Sequence, residues 1–253
     1  HIDRKEDSPV DSSKDYIAII GMSGRFADAR NIEEFYYNLR NGKDSVREIP
    51  KERWDWSECF STKENLKPGE TYSRWGGYMD DIDKFDPLFF NISNQEAKGL
   101  DPQERIFLET AVETLEDSGY TPKSLDKEKL GVFVGVMWGQ YQLYGADDAE
   151  TGSSYASVAN RVSYFLNAHG PSLAVDTMCS SSLTSLHLAC KSILNGESSI
   201  ALAGGVNITV HPNKYLYLSK TGFASTDGKC RSFGIDGDGY VPGDGSGAVL
   251  LKK

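Results

Sequence analysis

The chain has 253 residues, of which 39% are hydrophobic and 25% charged, enough for a substantial core in one large or two small domains. Its net charge of −10 argues against nucleic acid and anionic membrane as main partners, and no apolar run approaches the ~20 residues of a membrane span. Its four cysteines, Cys59, Cys179, Cys190 and Cys230, form no C-x-x-C pair; they suit neither a zinc site nor a disulfide framework, and they point to a reducing cytoplasm.

Residues 1–14 are polar and lack an apolar h-region, so they read as a flexible linker or expression scar rather than a signal peptide. The first predicted element is a buried strand in "YIAIIGM" (16–22). A helix follows in "NIEEFYYNLRNG": Asn31 caps it, Glu34 completes a capping box, and Ile32, Phe35, Tyr36 and Leu39 form its apolar face. Residues 43–100 are rich in aromatics and charges without a sustained period, which predicts loops packed on a body. In "DPQERIFLETAVETLEDSGY", Asp101 is the predicted N-cap, Pro102 sits at N1 and Glu104 at N3. Leu108, Ala111, Val112 and Leu115 form its inner face, and Gly119 stops it.

"LGVFVGVMW", "SLAVDTM", "IALAGGVNITV" and "GAVLLKK" read as strands. "SYASVANRVSYFLN", "SSSLTSLHLACKSILNGE" and "NKYLYLSK" read as helices, the second with Leu183, Leu186, Cys190 and Ile193 facing inward. Apolar strands alternating with helices predict an α/β layered sheet covered on both faces.

"AVDTMCSSSLTSLHLAC" places Cys179 on the joint between a strand ending at Asp176 and a helix starting near Ser180. Unpaired N–H groups at a helix N-terminus favour a thiolate, which is what a nucleophile needs. A buried structural cysteine is the alternative. The absence of G-x-S-x-G disfavours an α/β-hydrolase elbow. The tail "GIDGDGYVPGDGSGAVLL" fails as a calcium loop, because Tyr240 and Val241 stand where ligand and glycine are needed, and as a dinucleotide fingerprint, because a strand follows it. It reads instead as glycine-rich turns approaching another backbone. Among the histidines, His187 lies two turns from Cys179, about 12 Å along the helix, and reads as a packing residue; His169 and His211 read as loop residues. Cys230, between Lys229 and Arg231, is the competing reactive thiol.

"GPSLAVDTMCSSSLTSLHLAC" resembles the active-site segment of β-ketoacyl synthases, above all the ketosynthase domains of modular polyketide synthases. "DKFDPLFFNIS", "DPQERIFLETAVETLEDSGY" and "VPGDGSGAVLLK" match further landmarks of that family in the same order, and "GGVNITVHPNKYLYLS" is most like bacterial assembly lines served by a separate acyltransferase. The resemblance implies a thiolase-like layered α/β/α fold, of which residues 15–253 would be the first of two similar halves, in a cytoplasmic homodimer. It implies that Cys179 takes an acyl chain from the phosphopantetheine arm of an acyl carrier protein, with no cofactor or metal bound directly. Decarboxylative Claisen condensation with a malonyl-type extender would follow once a C-terminal half supplies two histidines. The Cys179 backbone N–H would be one oxyanion donor. Met178 and Tyr240 would line the acyl pocket, or simply pack. A non-elongating acyl-transfer ketosynthase, a fatty-acid synthase ketosynthase and a non-catalytic dimerising half-domain are the alternatives.

Overall fold

The computed structural model describes residues 16–144 and 154–253; the segment 1–14, read above as a linker, lies outside the described residues. In chain order the elements are β1 (Ala18–Phe26), α1 (Ile32–Arg40), β2 (Val46–Glu48), β3 (Trp75–Gly77), α2 (Asn94–Gly99), α3 (Pro102–Asp117), β4 (Leu130–Gly135), α4 (Tyr155–Phe165), β5 (Ser172–Val175), α5 (Ser181–Leu194), β6 (Ile200–Asn207), α6 (Asn213–Lys220) and β7 (Gly245–Lys252).

The main sheet runs β1-β7-β6-β4-β5. β4 is parallel to β5 and to the central strand β6, while β7 is antiparallel to both β6 and β1, so the sheet is mixed. Strand residues alternate between two cores, as the two-residue pleat dictates. Val132, Val134, Ile200, Leu202 and Leu250 meet α3 and α4 on one face. Phe133, Ala201, Ala203 and Leu251 meet Ala189 and Ile193 of α5 on the other. The result is the α/β/α layering expected of a thiolase-like half.

Local signals account for several helix ends. Asp101 accepts the Gln103 N–H at 2.9 Å, with Pro102 in the first turn of α3. Asn31 accepts the Glu34 N–H at 2.8 Å, but the Glu34 carboxylate reaches past the expected capping box to the Arg30 N–H and guanidinium. Residues 43–100 contain the short ribbon β2–β3, which pairs antiparallel and packs on the body.

Three further expectations are corrected. β1 is an edge strand rather than a buried one, with Ile19 and Met22 exposed, because the antiparallel β7 takes the place next to β6. α1 buries no residue, and Tyr36 and Leu39 face outward. α5 does not turn Leu183 inward: that side chain is 70% exposed, and Ser181, Ser185, Ala189 and Ser192 are buried with Ile193 instead. The reason lies in the sheet beneath. Ala201 and Ala203 make that face of β6 shallow, so only a small-residue stripe lets the helix come down onto it.

Candidate active site

β5 ends at Val175 and α5 begins at Ser181, and the turn between them is braced by its own polar residues. Asp176 Oδ1 accepts the Met178 N–H at 2.9 Å. The Ser181 hydroxyl accepts the Thr177 N–H at 2.9 Å and donates to the Met178 carbonyl at 2.6 Å. The Ser180 hydroxyl donates to the Thr177 carbonyl at 2.8 Å. Together these bonds hold Met178 at φ +59°, a left-handed conformation that costs a non-glycine residue on the order of 1 kcal/mol or more. The serines after Cys179 therefore shape the turn that presents the thiol just before the first turn of α5.

Two glycines let this helix start sit on the sheet. A Cβ on Gly135, the last residue of β4, would lie 2.5 Å from the Ser182 backbone nitrogen. One on Gly205, its register partner in β6, would lie 2.9 Å from the Ser182 Cβ. Any side chain at Gly135 would push the helix start, and Cys179 with it, off the sheet.

Cys179 is exposed. It lines an open cavity of about 680 Å³ together with Met178, Trp138, Leu183, Lys214 and Tyr240. The structure thus brings the three sequence-predicted site residues to one cavity. Met178 is 58% exposed and Tyr240 41% exposed. Partial burial, and then the nearby Cys179, push the Tyr240 hydroxyl above its ordinary value. The glycine-rich tail positions Tyr240 by close backbone approach. Its N–H donates to the Phe223 carbonyl, its carbonyl accepts from Ser225, and a Cβ on Gly239 would meet the Ala224 carbonyl carbon at 2.3 Å.

The other candidates lie elsewhere. Cys230 is exposed and its sulfur accepts the Val241 N–H at 3.3 Å. Its flanking cations are spent on carboxylates, Lys229 on Asp44 and Arg231 on Asp227. His187 and His169 are exposed, so the packing role expected of His187 is not what the structure gives; it projects from the outer side of α5. His211 stacks edge-on to Tyr144 at 5.2 Å, and burial lowers its pKa. Among the described residues no group of three His, Cys, Asp or Glu side chains is placed to hold a metal.

Sequence reading missed the polar floor of the cavity. Lys214, in the first turn of α6, is 5% exposed, and its amine donates to Asn207 Oδ1 at 3.0 Å. Asp244 is buried and pairs with Arg53 at 2.9 Å while accepting the Thr209 N–H at 2.8 Å. Burial pushes its carboxyl up, against the pull of the Arg53 guanidinium. A signal for Lys214 was present: it lies four residues before the buried Leu218, on the inward stripe of its helix.

A layered α/β/α body that carries a braced thiol at a helix start, open to a cavity, is the arrangement of a thiolase-like condensing domain. The family model "Beta-ketoacyl synthase, N-terminal domain" matches residues 14–253, and the chain belongs to that family. It is 53% identical to "Polyketide synthase PksL" of Bacillus subtilis over 99% of this chain, and 51% identical to "Polyketide synthase ThaG" of Burkholderia thailandensis over 98%. It spans only 6% and 4% of those two proteins. Among solved structures, the oxazolomycin ketosynthase domain OzmH KS7 of Streptomyces albus JA3453 superposes with a TM-score of 0.92 at 55% identity, covering 94% of this chain and 44% of that one.

Proposed function

We propose that this chain is the acyl-accepting half of a polyketide synthase ketosynthase, with Cys179 as its nucleophile. The observation that carries the reading is the placement of an exposed thiol at the start of α5, on a turn fixed by four hydrogen bonds, at the mouth of the cavity. The Cys179 thiolate attacks the carbonyl carbon of an acyl thioester presented on the phosphopantetheine arm of an acyl carrier protein. The new carbon–sulfur bond forms first, and the old one breaks as the tetrahedral intermediate collapses, the arm leaving as a thiolate that takes up a proton. The Cys179 backbone N–H supports the oxyanion of the tetrahedral intermediate. Condensation with a malonyl-type extender then needs groups that residues 15–253 do not supply, which a C-terminal half would bring. An exposed Leu183 on α5 and an exposed Leu173 on the edge strand β5 are compatible with further protein packing there, including that half and a second copy in a homodimer. No described helix is long and apolar enough to cross a membrane. Within this reading the chain serves a cytoplasmic assembly line supplied by a separate acyltransferase.

The test is acylation of the complete ketosynthase domain by a short acyl thioester, followed by peptide mass spectrometry. The acyl increment is expected on Cys179 alone and is lost in Cys179→Ala. An increment that persists in that variant makes the strand–helix thiol structural.

A further inference from the structure

The position of Lys214 is costly. It stands in the first turn of α6, where the helix dipole disfavours a cation, and its amine is taken out of water. Burial lowers the ammonium to about 8, with Asp244 and then Cys179 pulling the other way. Its compensation is slight. Asn207 Oδ1 takes one hydrogen bond at 3.0 Å, and the Asn207 amide nitrogen is locked onto the Gly243 carbonyl at 2.7 Å, which fixes the oxygen toward Lys214. The Trp138 ring stands 5.9 Å from the amine. The Asp244 carboxylate is taken by Arg53, Thr209 and Met79, and it accepts no hydrogen bond from Lys214. Of the three ammonium donors, one is therefore paired among the described residues, in a side chain that lines the Cys179 cavity. A leucine or methionine would fill the same space without these costs, so the amine points to a ligand oxygen.

Resting on the reading of Cys179 as the acyl acceptor, we propose that Lys214 determines acyl specificity: its amine donates a hydrogen bond to a hydroxyl or keto oxygen on the acyl chain, favouring chains oxygenated near the thioester over reduced ones. A site built to hydrogen-bond such an oxygen discriminates against the analogue that lacks it, because the buried donor is left unpaired.

The experiment compares 3-hydroxybutanoyl, 3-oxobutanoyl and butanoyl N-acetylcysteamine thioesters as donors to the complete ketosynthase domain. Cys179 acylation rates are read by mass spectrometry with no extender present. The wild type is expected to favour the oxygenated donors by roughly tenfold. Lys214→Met should erase that preference by slowing the oxygenated donors roughly tenfold more than butanoyl, and Lys214→Gln, which keeps a donor, should retain part of it. Equal rates in the wild type overturn the proposal without recourse to any variant. So does an equal slowing of all donors in Lys214→Met, which would make the lysine structural. Unchanged selectivity with a defect only after malonyl carrier protein is added assigns the amine to the extender's carboxylate and also overturns it. Selectivity on Cys179 fails separately from acylation of Cys179: a wild type that takes no acyl group there sinks the underlying reading as well.

Discussion

Replacing Gly135 with alanine tests how closely the thiol's position depends on the sheet. The added Cβ would lie 2.5 Å from the Ser182 nitrogen, 2.6 Å from the Ser181 carbonyl carbon and 2.8 Å from the Ser182 Cα. All three are backbone atoms, so no side chain can rotate out of the way. Ordinary contact begins near ~3.5 Å, so the start of α5 must withdraw by roughly 1 Å. β4 cannot yield instead, because it is paired on both sides by β5 and β6 and backed by the α3–α4 core. Overpacking of this kind costs about 1–3 kcal/mol. A shift of ~1 Å at a reacting group costs on the order of 10²-fold in rate. We therefore expect Gly135→Ala to lower the melting temperature measurably and to slow Cys179 acylation by about two orders of magnitude, as measured by mass spectrometry in the complete domain. Gly247→Ala is the control: its Cβ would meet nothing closer than Phe26 Cζ at 3.6 Å, and it should behave like the wild type. A Gly135→Ala domain that melts and acylates normally would refute the reasoning.

Two further outcomes follow from other side chains. Iodoacetamide near neutral pH should alkylate the exposed Cys179 and Cys230 first, with Cys59 about tenfold slower, because burial and then Glu58 push its thiol up; peptide mapping that finds Cys59 modified first contradicts this. Glu109, salt-bridged to Arg25, is raised from 4.5 to about 7, chiefly by burial. Between those values the unfolded chain has released a proton that the folded chain keeps, so the group's contribution is full below 4.5 and lost as pH rises through 7. Glu109→Gln should therefore stabilise the protein by on the order of 1 kcal/mol at about pH 8, with the gain vanishing near 4.5; a gain independent of pH in denaturant melts would exclude this titration.

What was legible in the sequence was local. The Asp101–Pro102 start of α3 and the Cys179 joint are written in a few adjacent residues, and the structure places both where the spacing put them. On α5, Leu186, Cys190 and Ile193 pack on the core as the spacing predicts, but Leu183 was misread because periodicity assumes that large residues go inside. Here the small residues beneath the helix, Gly135 of β4 with Ala201, Ala203 and Gly205 of β6, come from two separate strands, and only the assembled sheet shows that Ser181, Ser185 and Ala189 must go down while Leu183 turns to the cavity. β1 looked central because its residues are apolar, yet an edge position is decided by which strands pair, and its partner is more than two hundred residues away. Lys214 escaped notice because a lysine is read as solvent-facing, and its cost is visible only once Trp138, Asn207 and Asp244 surround it.

The pairing of β1 with β7 also sets an order of events during synthesis. Ala18 is joined to Lys252, and β7 is the only strand of the main sheet that touches β1 among the described residues. At ~5–20 residues per second on the ribosome, β1 emerges with nothing to pair with and waits on the order of 10–40 s for β7. Closing so long a loop is slow, because its entropy is lost before the ladder rewards it. The waiting strand carries exposed Ile19 and Met22, so a nascent chain stalled before β7 presents an unpaired apolar edge, the kind of segment that chaperones hold and that aggregates when they do not.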